Sequence, residues 1–127
     1  MNRVLELRKA ITTALLTAHP RVYYEQAPEG AAYPYLTYLM PDSLDDGTLE
    51  QCILEVDGWD APADGSTVVL EQMMHAADRA IQRLVVVVNG VLTMRFLHDR
   101  RLVLDDDDPA IRRRQYVYQA RTYERRD

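Results

Sequence analysis

The residues of this chain that could carry out chemistry are few and scattered along the sequence. Its three histidines, His19, His75 and His98, lie in different predicted elements and lack the spacing of a metal-binding or catalytic pair. The single cysteine, Cys52, alternates with apolar residues in a predicted strand, which is typical of a small buried side chain rather than a reactive thiol. No serine nucleophile elbow, phosphate-binding loop or dinucleotide-binding glycine motif occurs. We therefore predict no catalytic residue, no cofactor and no metal site, and a protein that is not an enzyme.

Two charged runs near the C-terminus have more than one interpretation. The carboxylates of Asp105–Asp108 could bind a divalent cation, but four consecutive aspartates before Pro109 lack the alternating ligands and central glycine of a calcium loop. We interpret this run as a solvated turn. Arg112, Arg113 and Arg114 could contact phosphate, although the aspartates just upstream favour local neutralisation or a salt link to another subunit. These three arginines are candidate interface residues.

Length and charge restrict the class of protein. A chain of 127 residues predicts one domain spanning residues 1–127. The formal net charge of −5 argues against a broad basic surface for nucleic acid. The N-terminus contains Glu6, Arg8 and Lys9 among its apolar residues, so it does not have the pattern of a signal peptide. The longest apolar run, Leu84–Val88, is too short to cross a bilayer, and we expect no membrane partner.

Two amphipathic helices are predicted from apolar residues at helical spacing. The first spans residues 2–18, with Asn2 as its N-cap and Pro20 beyond its end. The second follows the turn at residues 61–65 and runs from a cap at Ser66 to about Leu84. The apolar stripes are Val4, Leu7, Ile11 and Leu15 in the first helix, and Val69, Met73, Ala77, Ile81 and Leu84 in the second.

Six strands are predicted from short β-prone runs separated by turn residues. The clearest turn is Asn89-Gly90 between β-branched runs, which suits a type I′ hairpin. In the third strand, Cys52, Leu54 and Val56 share one face and Trp59 lies on the other. The predicted strands are Val22–Glu25, Tyr35–Leu39, residues 49–59, Val85–Val88, Val91–Leu97 with a bent continuation to Leu104, and Arg114–Tyr123.

The order α-β-β-β-α-β-β-β predicts an α+β fold, with a mostly antiparallel sheet and two helices packed on one face. The links between strands are shorter than the dozen or more residues that parallel crossovers usually need. The other face of the sheet must be solvated or meet another subunit. Three large side chains, Trp59, Val117 and Tyr123, are expected on that face, and tryptophan and tyrosine are enriched in interface cores.

Several short motifs follow one another along the chain. The run Ala27–Tyr35 is followed by a β-prone run. An acidic loop, the run Leu54–Trp59, an amphipathic helix and a closing arginine-rich strand come next. In their order and spacing these motifs are similar to a tail-completion family of tailed phages and prophages, and the resemblance covers the chain from about Val4 to Tyr123. The family includes tail terminators and tail-to-head joining proteins. The resemblance implies an α+β subunit without catalytic residues that closes into a ring, commonly hexameric, at the head-proximal end of the tail tube.

The resulting hypothesis is a structural virion protein that acts by assembly. Its expected partners are further copies of itself, the tail tube protein and the neck or head–tail connector proteins, while DNA passes through the channel without specific binding. The expected location is the tail or neck of the virion, and the host cytoplasm before assembly. One alternative is another connector or neck protein of the same phage module. A second is a small-molecule-binding or enzymatic α+β dimer with its ligand between the helices and the sheet.

The acidic loop after the second strand is also a candidate interface. Residues 42–48 contain Asp42, Asp45 and Asp46 with Gly47, and only Leu44 could anchor them. Ordering the backbone costs about 1–2 kcal/mol per residue, which one leucine does not offset. We expect this loop to be mobile in the free subunit and to order through its carboxylates against arginines of a neighbour or of the tube.

Overall fold

The computed structural model describes residues 3–41, 52–88 and 92–124. The two helices and six strands follow one another in the predicted order, and their bounds differ from the predicted ones by a few residues. They are α1 Arg3–Ala18, β1 Val22–Tyr24, β2 Tyr35–Leu39, β3 Ile53–Asp60, α2 Val68–Arg83, β4 Val85–Val88, β5 Leu92–Leu104 and β6 Arg112–Glu124. In the described parts of the chain, neither helix is long and apolar enough to span a membrane.

The six strands form one sheet in the order β1-β2-β3-β6-β5-β4. Every neighbouring pair is antiparallel except β1 and β2, which are parallel, with Val22 opposite Leu36. The mostly antiparallel α+β fold is therefore confirmed, but the expectation that no link permits a parallel pair is wrong for this edge. Since β1 has only three residues, the loop of residues 25–34 needs to run back only about 10 Å to begin β2 beside it.

The helices cover one face of the sheet and form the core with it. The stripe of α1 is confirmed, since Val4, Leu7, Ile11 and Leu15 are all buried. The predicted phase of α2 is wrong at its start. Val69 is 53% exposed, and Leu70 and Met74 are buried instead. The core residues contributed by α2 are Leu70, Met73, Met74, Ala77 and Ile81.

Gly58 allows α2 to lie close to β3. A Cβ atom at this position would overlap Met74 Sδ and would lie 3.0 Å from Leu70 Cδ1 and 3.1 Å from Met73 Cε. Both Leu70 and Met74 are fully buried, so neither can move aside into solvent. The glycine therefore sets how closely the second helix packs on the sheet.

The longest feature of the sheet is the β5–β6 hairpin, in which each strand has thirteen residues. The register shifts between His98 and Arg100, as expected for a β-bulge that bends the strand. The bent continuation to Leu104 is therefore confirmed. Strand β4 pairs antiparallel with β5 as a hairpin requires, whereas the Asn89-Gly90 turn lies outside the described residues.

A buried carboxylate joins α2 to this hairpin. Asp78 is 5% exposed, and its Oδ1 accepts a hydrogen bond of 2.5 Å from the Tyr118 hydroxyl. Its Oδ2 accepts a bond of 2.8 Å from Gln82 Nε2 and lies 3.4 Å from Arg101 Nη2. Both oxygens have donors, which is what a buried carboxylate requires.

Candidate assembly surface

The face of the sheet opposite the helices, called here the outer face, is covered by neither helix. Strand alternation determines which side chains lie on it. On β5, Met94 and Phe96 are buried in the core, so Arg95 and Leu97 lie on the outer face. On β6 the core side chains are Tyr116 and Tyr118.

Aromatic side chains form a cluster on the outer face near the β1–β2 edge. Tyr35 stacks on Trp59 with ring centroids 6.1 Å apart, and on Tyr33 with centroids 5.2 Å apart. Tyr23 meets Tyr35 edge-on at 5.8 Å. We call these four residues the aromatic cluster. Burial raises the pKa of Tyr35, and the adjacent Tyr33 raises it further, so its hydroxyl stays protonated at neutral pH.

Trp59 is held in place by polar contacts as well as by stacking. Its Nε1 donates a hydrogen bond of 3.0 Å to Thr37 Oγ1. The guanidinium carbon of Arg113 lies 4.2 Å from the centre of the Trp59 rings, within the range of a cation–π contact. Trp59 is only partly buried, so the tryptophan predicted to face a partner is oriented within the subunit and still accessible.

Arg113 also forms a nearly buried ion pair. Its Nε and Nη2 donate to Asp57 Oδ2 at 2.9 and 2.5 Å, and Gln115 Nε2 donates to Asp57 Oδ1 at 3.1 Å. Asp57 is only 6% exposed, so this pairing compensates for the burial of its charge. Arg113 is therefore engaged inside the subunit and is not free to bind phosphate.

The arginine run does not form one basic patch, because neighbouring residues of a strand point to opposite faces. Arg114 lies on the helix side, where its Nε donates to Glu71 Oε1 at 2.7 Å. Arg112 is exposed at the start of β6. Within the described residues, the charges of Arg113 and Arg114 are thus neutralised by Asp57 and Glu71, not by the aspartates of the preceding turn.

The other predicted interface residues differ in accessibility. Val117 is 2% exposed and lies outside the core cluster, so neighbouring side chains cover it on the outer face. Tyr123 is 55% exposed near the end of β6. Asp42, Asp45 and Asp46 lie outside the described residues, as does the whole predicted mobile loop of residues 42–48.

A second set of outer-face residues was not singled out from the sequence. Val85 and Val87 on β4 are 52% and 57% exposed, and Leu97 on β5 is 46% exposed. Arg95 on β5 lies between Val85 on β4 and Arg121 on β6, and it is the direct cross-strand partner of both. Alternation along β5 could have predicted that Arg95 and Leu97 share the face opposite Met94 and Phe96. The run of four valines in β4 has no polar residue to show its phase, so only the structure decides which valines face outwards.

Two grooves lie beside the sheet in the part of the chain that the structure describes. A groove of about 620 Å³ lies between the aromatic cluster and the loop after β1, where Glu25 and Glu29 add negative charge. An apolar groove of about 840 Å³ lies between α1 and β4. The described residues include no group of three or more side chains able to hold a metal ion. What the outer face offers is aromatic stacking, charge pairing and exposed apolar area.

Comparisons with known proteins identify a shared fold. No family model and no curated protein sequence matches the chain. A chain in the solved structure of the virion of a native gene transfer agent particle is similar in fold, with a TM-score of 0.65 and 16% sequence identity. The alignment covers 94% of this chain and 96% of that chain, so the two share their architecture over nearly their whole length.

Proposed function

We propose that this protein is a structural virion protein of a phage-like particle, and specifically a tail terminator or tail-completion subunit. The observation that supports this most strongly is the full-length similarity in fold to a component of a gene transfer agent virion. The family resemblance of the short motifs leads to the same class of protein. The subunit acts by assembly, and its location is the tail or neck of the particle.

The proposed mechanism is ring closure followed by docking. Copies of the subunit bind one another into a ring, commonly a hexamer. The ring then caps the last ring of the tail tube, stops its growth and presents a surface to the neck proteins. The outer face suits such contacts because its aromatic cluster and its exposed valines, leucine and tyrosine leave apolar area in solvent. Aromatic and arginine side chains are typical of interface cores.

A ring of this size is compatible with passage of DNA. A chain of 127 residues has a radius of gyration of roughly 14 Å, which corresponds to a sphere about 36 Å across. Six touching spheres leave a central hole of one sphere diameter, and a duplex is roughly 20 Å wide. The net charge of −5 per subunit disfavours tight binding of phosphate in that channel.

Two measurements test this proposal. Size-exclusion chromatography with light scattering should show a concentration-dependent oligomer or ring, and a stable two-subunit particle at all concentrations would contradict it. Electron microscopy of tail tubes polymerised with the protein should show shorter tubes with an extra ring at one end. If the protein binds only the head connector and leaves tube length unchanged, it is a neck protein of the same particle instead.

A further inference from the structure

Two arginines of the outer face lie directly opposite each other on neighbouring strands. Arg95 on β5 and Arg121 on β6 are direct cross-strand partners, and both are exposed. Like charges opposite each other destabilise a strand pair. Neither guanidinium makes a hydrogen bond or ion pair with a side chain in the described parts of the chain. An anion supplied from outside the subunit would relieve this repulsion.

Apolar side chains surround this arginine pair. Val85 lies directly opposite Arg95, and Thr93 lies between Val87 and Tyr123 in the next cross-strand row. Leu97 follows Arg95 on the same face. We call Arg95, Arg121, Val85, Val87, Leu97 and Tyr123 the arginine patch. Arginine and tyrosine next to exposed apolar area are typical of protein–protein contacts, whereas nucleic-acid interfaces are more polar and more basic.

The opposite end of the same hairpin has the complementary charge. The turn Asp105–Asp108 follows β5, about ten residues beyond Arg95, and strand rise places it roughly 30 Å away. Asp106 and Asp108 shape the turn by accepting hydrogen bonds from the backbone amides of Asp108 and Ala110, at 3.0 and 2.9 Å. Asp105 and Asp107 are exposed, and neither makes a hydrogen bond or ion pair within the described ranges. The turn and the patch are too far apart to pair within one subunit.

We propose that the arginine patch binds the acidic turn Asp105–Asp108 of a second copy of this chain. This inference rests on the proposed ring and identifies the contact that closes it. The patch and the turn are different surfaces, so each copy would use its patch on one neighbour and its turn on the other. Such a heterologous contact builds rings or open filaments, not two-fold dimers.

Charge reversal provides a specific test. The variant Arg95→Glu/Arg121→Glu has an acidic patch and an acidic turn. The variant Asp105→Lys/Asp107→Lys has a basic patch and a turn in which the two side chains without a hydrogen bond are basic, while Asp106 and Asp108 keep their bonds to the backbone. Each should self-associate about tenfold or more weakly than the wild type, because like charges then meet at the contact. A 1:1 mixture should assemble again, with the two variants alternating. High salt should weaken the wild-type oligomer as well. All species are measured by light scattering.

The control is Arg79→Glu/Arg83→Glu, which makes the same change in net charge on exposed residues of α2 and should assemble like the wild type. The patch variant retains a like-charge pair across β5 and β6, so its melting temperature should stay close to that of the wild type. If the patch variant fails to fold, the variant Arg95→Gln/Arg121→Gln is used in its place.

Three outcomes would overturn the inference. Normal assembly of both charge-reversed variants would exclude this contact and leave the proposed ring intact. A wild type that stays monomeric at every concentration, alone and with tail tubes, would reject the ring and this contact together. Loss of duplex DNA binding in the patch variant, with its oligomer unchanged, would assign the arginine pair to phosphate instead.

Discussion

At the residue scale, hydrogen-bond partners decide which polar side chains stabilise the fold. Asp57 and Asp78 are both nearly buried. Asp57 receives its donors from β6, whereas Asp78 receives donors from α2, β5 and β6. His19 is partly buried beyond the end of α1, where its Nε2 lies 2.9 Å from the carbonyl oxygen of Pro34. In each case a group that is unremarkable in the sequence acquires its role from a distant partner.

The first prediction concerns Tyr118→Phe. Removing the hydroxyl leaves Asp78 Oδ1 without its donor in a buried site, so the free energy of unfolding should fall by about 1–3 kcal/mol. Urea denaturation would measure it. Tyr116→Phe is the matched control on the same strand, since no described partner bonds its hydroxyl. Equal losses in the two variants would show that the Asp78 contact adds no specific stability.

The second prediction concerns pH and His19. Burial lowers the pKa of His19 below its usual 6.5, and the hydrogen bond to Pro34 offsets only part of this. The unfolded chain therefore binds a proton more readily than the folded one. The free energy of unfolding should fall as the pH drops from about 7 through 6.5 towards the lower pKa of the folded state. His19→Gln should show less of this dependence in melting experiments between pH 5.5 and 7.5, while His75→Gln, on an exposed position of α2, should retain it.

At the element scale, close contact between α2 and the sheet depends on the missing side chain at Gly58. The six-stranded sheet is continuous from β1 to β4, and α2 lies across its middle on β3, β5 and β6. This packing places Asp78 against Tyr118 and Arg114 against Glu71. The position of one helix therefore determines several of the polar contacts.

The third prediction tests that packing. Gly58→Ala should destabilise the fold by about 1–3 kcal/mol, because the new Cβ overlaps the buried Met74 side chain. Met74→Ala alone should cost about 2–5 kcal/mol by leaving a cavity. The double variant should lose less than the sum of the two single losses, since the methyl group then enters space vacated by the methionine. Strict additivity in denaturant titrations would mean that the helix moves away instead.

At the scale of the whole molecule, the two faces of the sheet have different roles. The inner face packs on both helices and contains the core, whereas the outer face combines the nearly buried ion pair of Arg113 and Asp57 with aromatic and apolar groups that remain exposed. An α+β subunit of this kind can be stable alone and still have surface left for neighbours. This difference between the two faces of the sheet supports the proposal that the protein works by assembly.

The fourth prediction is that Trp59→Ala weakens assembly more than folding. Trp59 is partly buried by Tyr35 and Arg113, so its loss should cost less than the roughly 3–5 kcal/mol of a core aromatic. Thermal melts at a monomeric and at an assembling concentration would separate the two effects. Phe96→Ala, in the core, should lower both melting temperatures equally. The same equal loss for Trp59→Ala would remove the tryptophan from the interface.

Much of the fold was determined by the sequence itself, because the relevant signals are local. The spacing of Leu7, Ile11 and Leu15 identifies α1, and the β-branched runs on either side of Asn89-Gly90 identify the β4–β5 hairpin. A helical stripe and a β-branched run depend only on residues a few positions apart, so periodicity and residue type are sufficient to predict them.

The tertiary structure alone decided which strands and side chains meet. The parallel pairing of β1 with β2, the covering of Val117 and the cross-strand pair of Arg95 and Arg121 all depend on neighbours distant in sequence. Similarly, Arg113 and Arg114 find separate partners on opposite faces, although they are adjacent in the chain. The order of the strands in the sheet is set by how the whole chain packs, because it brings together residues that are far apart in the sequence.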